Sequence, residues 1–373
     1  MDKIYASIFI YVMQFHFWMA STEFSGNSFV EVLRQICFIV GCLCVLLKWG
    51  TYGKADVKKV LLFFSLTIIV VCGMYVSGGL TVVKLLLFGL ALKNVPFEYA
   101  LRAFSRINIA IGALVWGAVI FDFIPNKIFN DNGEIFYYLG FSNPNTAAML
   151  FFSILISLTC GRIGRWKLHD YILCISTSYI MYSLTGSRAM LISASVYILL
   201  TVLEQHGRLM QNMIRHKVTR KALYAVYPTL TVLSYWLAKA YTTSNLVQKL
   251  NLIFSWRFYF WNRYVGNIGI GLLGKNFDWD GVGTLDNGYL VLLFRYGLII
   301  YLIYFAIFTY TVYCAIKWQK HNVLILILTN CAYCFVEGYS IFININFVLI
   351  YFWICFWKSS AVFAENRLKQ KSA

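Results

Sequence analysis

The chain is predicted to be an all-α polytopic membrane protein, with about twelve transmembrane helices and a range of roughly 10–13. Three observations carry that expectation. Of 373 residues, 60% are hydrophobic and only 13% charged. Soluble domains run roughly 45–50% apolar and about 25% charged, so one soluble core cannot hide this excess. Apolar runs recur along the whole length, and the basic residues cluster between them, mostly on alternate connections. Residues 1–373 therefore read as a single integral membrane domain with no soluble appendage.

A membrane-crossing helix needs roughly 20 apolar residues. The candidate spans are 4–20, 29–47, 60–77, 80–93, 107–124, 145–160, 170–184, 188–204, 222–240, 296–316, 322–339 and 341–357. The opening MDKIYASIFIYVMQFHFWMA lacks a small-residue cleavage site and reads as the first span rather than a signal peptide. The fourth span is short and carries Lys84.

Orientation follows from Lys and Arg, which collect on the cytoplasmic side of membrane proteins. With the N-terminus inside, the inner segments hold 22 of the 32 basic residues. The outer segments hold Lys127, Arg188, Lys239, Lys249, Arg257, Arg263 and Lys275. This bias places both termini in the cytoplasm. The net charge of +17 is explained the same way, and no solvated basic face suggests nucleic acid. Nine of the ten cysteines lie inside apolar runs and Cys160 ends one, so neither a disulfide framework nor a metal site is indicated.

The topology leaves two long connections, both outside. One is 125–144. The other, 241–287, is a long extracytoplasmic loop containing the aromatic stretch NLIFSWRFYFWNRY. Loops of such length are usually functional or disordered, and this composition is not that of a disordered segment.

Several polar residues stand out on that face. In TGSR, Arg188 opens the eighth span, with Ser187 or Thr185 as its helix cap. A guanidinium beside an outward helix N-terminus suits an anion, although a snorkelling interfacial arginine has the same pattern. Arg257 and Trp261 stand four apart, on one face of any helix over 246–264. Arg257 is a candidate second phosphate clamp facing Arg188 across a cavity; the alternative is an interfacial amphipathic helix. Arg263 points to a different surface. Asp286 or Asn287 caps the next helix, or Asp286 serves as a general base. Asn143 and Asn145 flank Pro144 at a helix start, either as cap or as holders of sugar hydroxyls. Glu337 is a carboxylate near the outer end of the eleventh span, with an arginine as its expected partner. Calcium at Asp278 and Asp280 is a weak alternative. No metal or other cofactor is expected.

These residues resemble the O-antigen polymerase and ligase superfamily, specifically its Wzy-type polymerases of surface polysaccharides. The resemblance rests on GFSNPNTAAM at 140–149, TGSRAMLIS at 185–193, Arg257 and Trp261 followed by GIGLLG, and TLDNGYLVLLFRYG at 284–297. The Glu337 segment is a weaker fifth element. The resemblance implies an enzyme of the bacterial cytoplasmic membrane, working on its outer face. It would transfer a glycan from an undecaprenyl diphosphate carrier to a second lipid-linked repeat unit, without metal or cofactor and with inversion. Arg188 and Arg257 would hold the diphosphate. Ser187, Arg263, Trp261, Asn143, Asn145, Asn287, Tyr289 and Glu337 are the accompanying candidates for substrate binding, with Trp256, Trp261, Trp279 and Tyr289 able to stack on sugars. Partners would be the lipid-linked oligosaccharides, the bilayer, and possible flippase and chain-length regulator proteins. The ligase branch has a histidine where this chain has Asp286, which favours polymerase over ligase. A lipid-linked oligosaccharide flippase is the third reading; it would need a polar path at mid-depth, and no internal repeat is visible.

Overall fold

The computed structural model describes residues 1–50, 60, 61, 63–65, 67, 68, 81–131, 133–275 and 285–358. It is almost entirely helical, as an all-α membrane protein should be. In chain order the named helices are α1 (Asp2–Met19), α2 (Ser28–Gly50), α3 (Thr81–Ala91), α4 (Phe97–Ile120), α5 (Pro144–Thr159), α6 (Leu168–Thr185), α7 (Arg188–Gly207), α8 (Leu209–Arg215) and α9 (Lys217–Ala240). They continue with α10 (Asn245–Ile253), α11 (Arg257–Asn267), α12 (Gly288–Val291), α13 (Gly297–Lys317), α14 (His321–Val336) and α15 (Phe347–Trp357). A π-turn, Leu292–Tyr296, joins α12 to α13.

Among the described residues, five helical stretches are long and apolar enough to cross a membrane. They are Ser28–Gly50, Phe97–Ile120, Pro144–Arg162, Arg188–Gly207 and Gly288–Lys317. Helices α3, α14 and α15 are apolar but shorter. An 11-residue helix such as α3 rises only about 16 Å, roughly half of a bilayer core. The expected third span, 60–77, lies largely outside the described residues.

The ends of these helices follow local chemistry. Asn143 caps α5, its Oδ1 accepting from the Thr146 N–H at 2.9 Å, and Pro144 occupies the first turn. Ser244 caps α10 through the Val247 N–H, and Asn346 caps α15 through the Val348 N–H. Helix α6 stops at Gly186, which takes a left-handed conformation, φ +65°.

The two long connections are more ordered than expected. Residues 128–137 form an antiparallel hairpin, β1 (Ile128–Asp131) with β2 (Glu134–Tyr137). The 241–287 segment is not one irregular loop: it contains α10 and α11. Nor is 246–264 a single helix. It breaks at Ser255 (φ +52°) and Trp256 (φ +64°), two successive left-handed residues with side chains. Such conformations are costly and persist where packing enforces them. Beyond α11, the Gly-rich strip at 271–274 lies backbone to backbone on the π-turn and the start of α13, with Leu298 N–H donating to Gly271 O at 2.9 Å. A Cβ on Gly274 would sit 2.1 Å from the Arg295 carbonyl oxygen, so a side chain cannot fit there.

The interior is aromatic. Phe9 meets Phe88 edge-on at 4.8 Å, and Phe104 meets Phe347 at 5.4 Å. Four residues inside this core are linked into a polar chain. Trp18 Nε1 donates to Asn108 Oδ1 (3.1 Å), Asn108 Nδ2 to Ser153 Oγ (2.8 Å), and Ser153 Oγ to Asn344 O (3.2 Å). All four residues are buried. The chain ties α1, α4 and α5 to the non-helical strip 337–346. That strip is also held by Tyr304 Oη donating to Ser340 O and by Ser340 Oγ donating to Gly288 O.

Asn108→Ala leaves the Trp18 N–H and one Ser153 interaction unmet, which should cost on the order of 1–3 kcal/mol. The expected result is a lower thermal midpoint of the detergent-solubilised protein. An unchanged midpoint would show that this hydrogen-bond chain does not stabilise the fold.

Candidate functional site

A cleft of about 350 Å³ opens where the hairpin, the start of α5, the α6–α7 turn and the α10–α11 break converge. Four sequence-predicted residues line it together: Arg188, Arg257, Asn143 and Asn145. They come from three separate parts of the chain.

The α6–α7 turn is built to present Arg188. Thr185 folds its hydroxyl back onto Met181 O at 2.6 Å, and Gly186 then reverses the chain. A Cβ at Gly186 would lie 2.7 Å from the ring of Phe136 on β2, so the turn and the hairpin pack only because this residue is glycine. Neither Ser187 nor Thr185 caps α7 with its side chain, contrary to expectation. Ser187 is buried and does not line the cleft. Arg188 is exposed, and its Nη1 donates to Leu252 O (3.3 Å) and Ile253 O (3.4 Å). Those carbonyls end α10, where the helix dipole favours a cation. Nε and Nη2 of Arg188 make no hydrogen bond among the described residues.

Arg257 is held differently. It is 8% exposed, and each of its nitrogens has a protein partner. Nε donates to Val336 O at 2.8 Å, Nη1 to Phe254 O at 3.3 Å, and Nη2 to Glu337 Oε1 at 3.1 Å. A guanidinium carries five N–H donors, so one on each terminal nitrogen remains. Its expected arginine–glutamate partnership is present: Glu337 is 3% exposed and lies just past the end of α14, not within it. Asp286 and Arg257 both act by charge on the buried Glu337 carboxylate. Asp286 thus sits near the ion pair, although it is not part of the cleft wall.

Asn287, rather than Asp286, is the helix cap. Its Oδ1 accepts from the N–H groups of Tyr289 and Leu290, and its Nδ2 donates to Ser234 Oγ and Phe335 O. Asn143 caps α5 with its oxygen and still lines the cleft, which leaves its amide N–H groups available there.

Three candidates are placed elsewhere. Trp261 is fully buried, packed on Phe258 and Phe335. Tyr289 is fully buried, with its hydroxyl donating to Cys331 O at 2.8 Å. Both fill the core and offer no face to a sugar. Arg263 lies near the ring of Tyr259, 5.9 Å from its centre, and is not in the cleft wall. Trp279, Asp278 and Asp280 are outside the described residues. Trp256 is exposed, at the α10–α11 break.

Sequence reasoning missed one wall of the cleft, formed by Phe129, Glu134, Phe136 and Tyr138 on and beside the hairpin. The signal was there: Asn-Gly between IFN and EIFYY is the strongest short hairpin pattern. No family model matches the chain, nor does any curated protein or solved structure.

Glu337→Ala would strand Arg257 as a buried, unpaired cation, at a cost on the order of 3–5 kcal/mol. The single variant should therefore lose several degrees of thermal midpoint, and the paired Arg257→Met/Glu337→Leu replacement should regain most of that loss. A paired variant no more stable than Glu337→Ala would remove the ion pair from the account.

Proposed function

We propose that the chain is a polysaccharide polymerase of a bacterial cytoplasmic membrane, joining undecaprenyl-diphosphate-linked oligosaccharide repeat units on its outer face. The reading combines about twelve spans, within a range of roughly 10–13, and both ends cytoplasmic, with a cleft on the outer side. One observation carries it: Arg188 and Arg257, far apart in sequence, line one cleft together with Asn143 and Asn145.

The chemistry required is a single displacement. A hydroxyl oxygen of the acceptor sugar attacks the anomeric carbon of the donor from the face opposite the diphosphate. The carbon–oxygen bond to the diphosphate breaks, and its electron pair leaves with that group. The configuration inverts. Negative charge grows on the diphosphate as the bond breaks, so donors fixed in advance stabilise the transition state more than the ground state. Arg188 supplies the open guanidinium. Arg257 supplies two further N–H donors from a side chain that cannot swing away. The amides of Asn143 and Asn145 suit sugar hydroxyls. A carboxylate takes the acceptor proton: Asp286 beside the Arg257–Glu337 pair, or Glu134 in the cleft wall itself. A diphosphate is a good leaving group, so the scheme requires no metal.

Lysine keeps the charge but lacks the planar fork of arginine. Arg188→Lys and Arg257→Lys should each abolish long-chain polymer on the cell surface while membrane protein levels hold. Wild-type polymer in either variant contradicts the clamp. A cysteine introduced at 134 should react with an impermeant reagent in intact spheroplasts; protection there, with labelling only after lysis, would reverse the topology.

A further inference from the structure

A second cavity, of about 190 Å³, is lined by 341–344 of the 337–346 strip, by Phe17, Ala20 and Ser21 at and after the end of α1, and by the start of α3. Four polar side chains line it: Ser21, Thr81, Lys84 and Asn344. The Thr81 hydroxyl is paired with Tyr296, and the other three side chains make no hydrogen bond or ion pair among the described residues. Asn344 is only 4% exposed. The nearest charges bearing on Lys84 come from another cation, Arg34, which is already paired with Glu31. An ammonium on an apolar helix, half-buried and with no counter-ion among the described residues, is costly unless an anion joins it. An ammonium, a primary amide and a hydroxyl together offer up to six N–H and O–H donors, the complement of phosphoryl oxygens.

The cavity is also tied to the cleft. Ser21 O accepts from the Ser142 N–H at 2.8 Å, and the next residue is Asn143 of the cleft wall. The 337–346 strip joins them again, with Glu337 holding Arg257 at one end and Ile341–Asn344 lining the cavity toward the other. Two anion sites therefore flank one short segment.

We propose that the Lys84 cavity binds the phosphate headgroup of a second lipid, the lipid-linked acceptor, while the Arg188–Arg257 cleft holds the donor diphosphate. This rests on the polymerase reading, which needs two lipid-linked substrates at once and keeps the diphosphate on only one of them. Lys84, Ser21 and Asn344 hold the phosphoryl oxygens, and Phe17 and Ile341 supply an apolar wall.

The test is lipid binding, read by native mass spectrometry on the purified chain in a neutral detergent, with undecaprenyl diphosphate as the probe. Wild type should take up two lipids, Arg188→Gln one, Lys84→Gln one, and the double variant none; Lys84→Arg, which keeps the charge, should retain two. Affinity at the second site should fall on the order of tenfold in Lys84→Gln, the scale of one charge-assisted contact. Two lipids on Lys84→Gln with wild-type affinity overturn the proposal. So does displacement of the second lipid by an equal amount of phosphatidylglycerol, which would make the cavity a general anionic-lipid site. Surface polymer is measured in parallel. If wild type makes no polymer yet Lys84→Gln loses one lipid, the polymerase reading falls and the anion site stands. If wild type makes polymer and Lys84→Gln still binds two, this inference falls alone.

Discussion

The buried contact between Arg257 and Glu337 organises the site. One guanidinium reaches the end of α14 through Val336 O, the end of α10 through Phe254 O, and the strip after α14 through Glu337. Two charges taken out of water cost several kcal/mol each unless they find each other with good geometry. The pair is therefore a constraint more than a source of stability. The α10–α11 break must stand where it does, with Ser255 and Trp256 in left-handed conformations, because Arg257 is anchored immediately after them. Arg188 meets the same structure from the other side, through the carbonyls that end α10. Moving α10 would release both arginines from the cleft.

This division of labour has a chemical meaning. On the proposed reading the cleft binds a diphosphate and then stabilises more charge on it, which needs positive groups that do not relax as the charge develops. Arg257 is fixed by three bonds and partly neutralised. Arg188 is exposed and has unused donors. A fixed cation sets the position and an open one completes the contact. Phe136 of the hairpin and Tyr138 just after it close the wall around them.

Much of the helical architecture was legible in the sequence, because long apolar runs leave little freedom. Apart from 60–77, each apolar run coincides with a helix. What was not legible was length: α3 and α15 have 11 residues each, too few to cross alone. The runs 322–339 and 341–357 also read as helix up to and from Gly338–Ser340, yet the chain is non-helical from 337 to 346. Window-averaged hydropathy does not show that break, since the polar residues of FVEGYSIFININF are interleaved with apolar ones; the hydrogen bonds of Ser340 and Asn346 decide it. Within the site, Arg188, Arg257 and the two asparagines, which stand out in the sequence by their chemistry, line one cleft. Trp261 and Tyr289 were misplaced because an aromatic beside a candidate arginine looks the same on a sugar platform and in a core. Only packing distinguishes them. Glu134 does not stand out in a reading of 125–144 as a loop, although the sequence Asn-Gly there is a hairpin signal.

The central claim is that the cleft joins lipid-linked repeat units. The surface glycan of a strain lacking this chain tests it most directly. The account requires chains of a single repeat unit, with unpolymerised lipid-linked units on the outer face and long polymer restored by the wild-type chain. Polymer of normal length in the deletion strain, or lipid-linked units trapped on the cytoplasmic face, would contradict it.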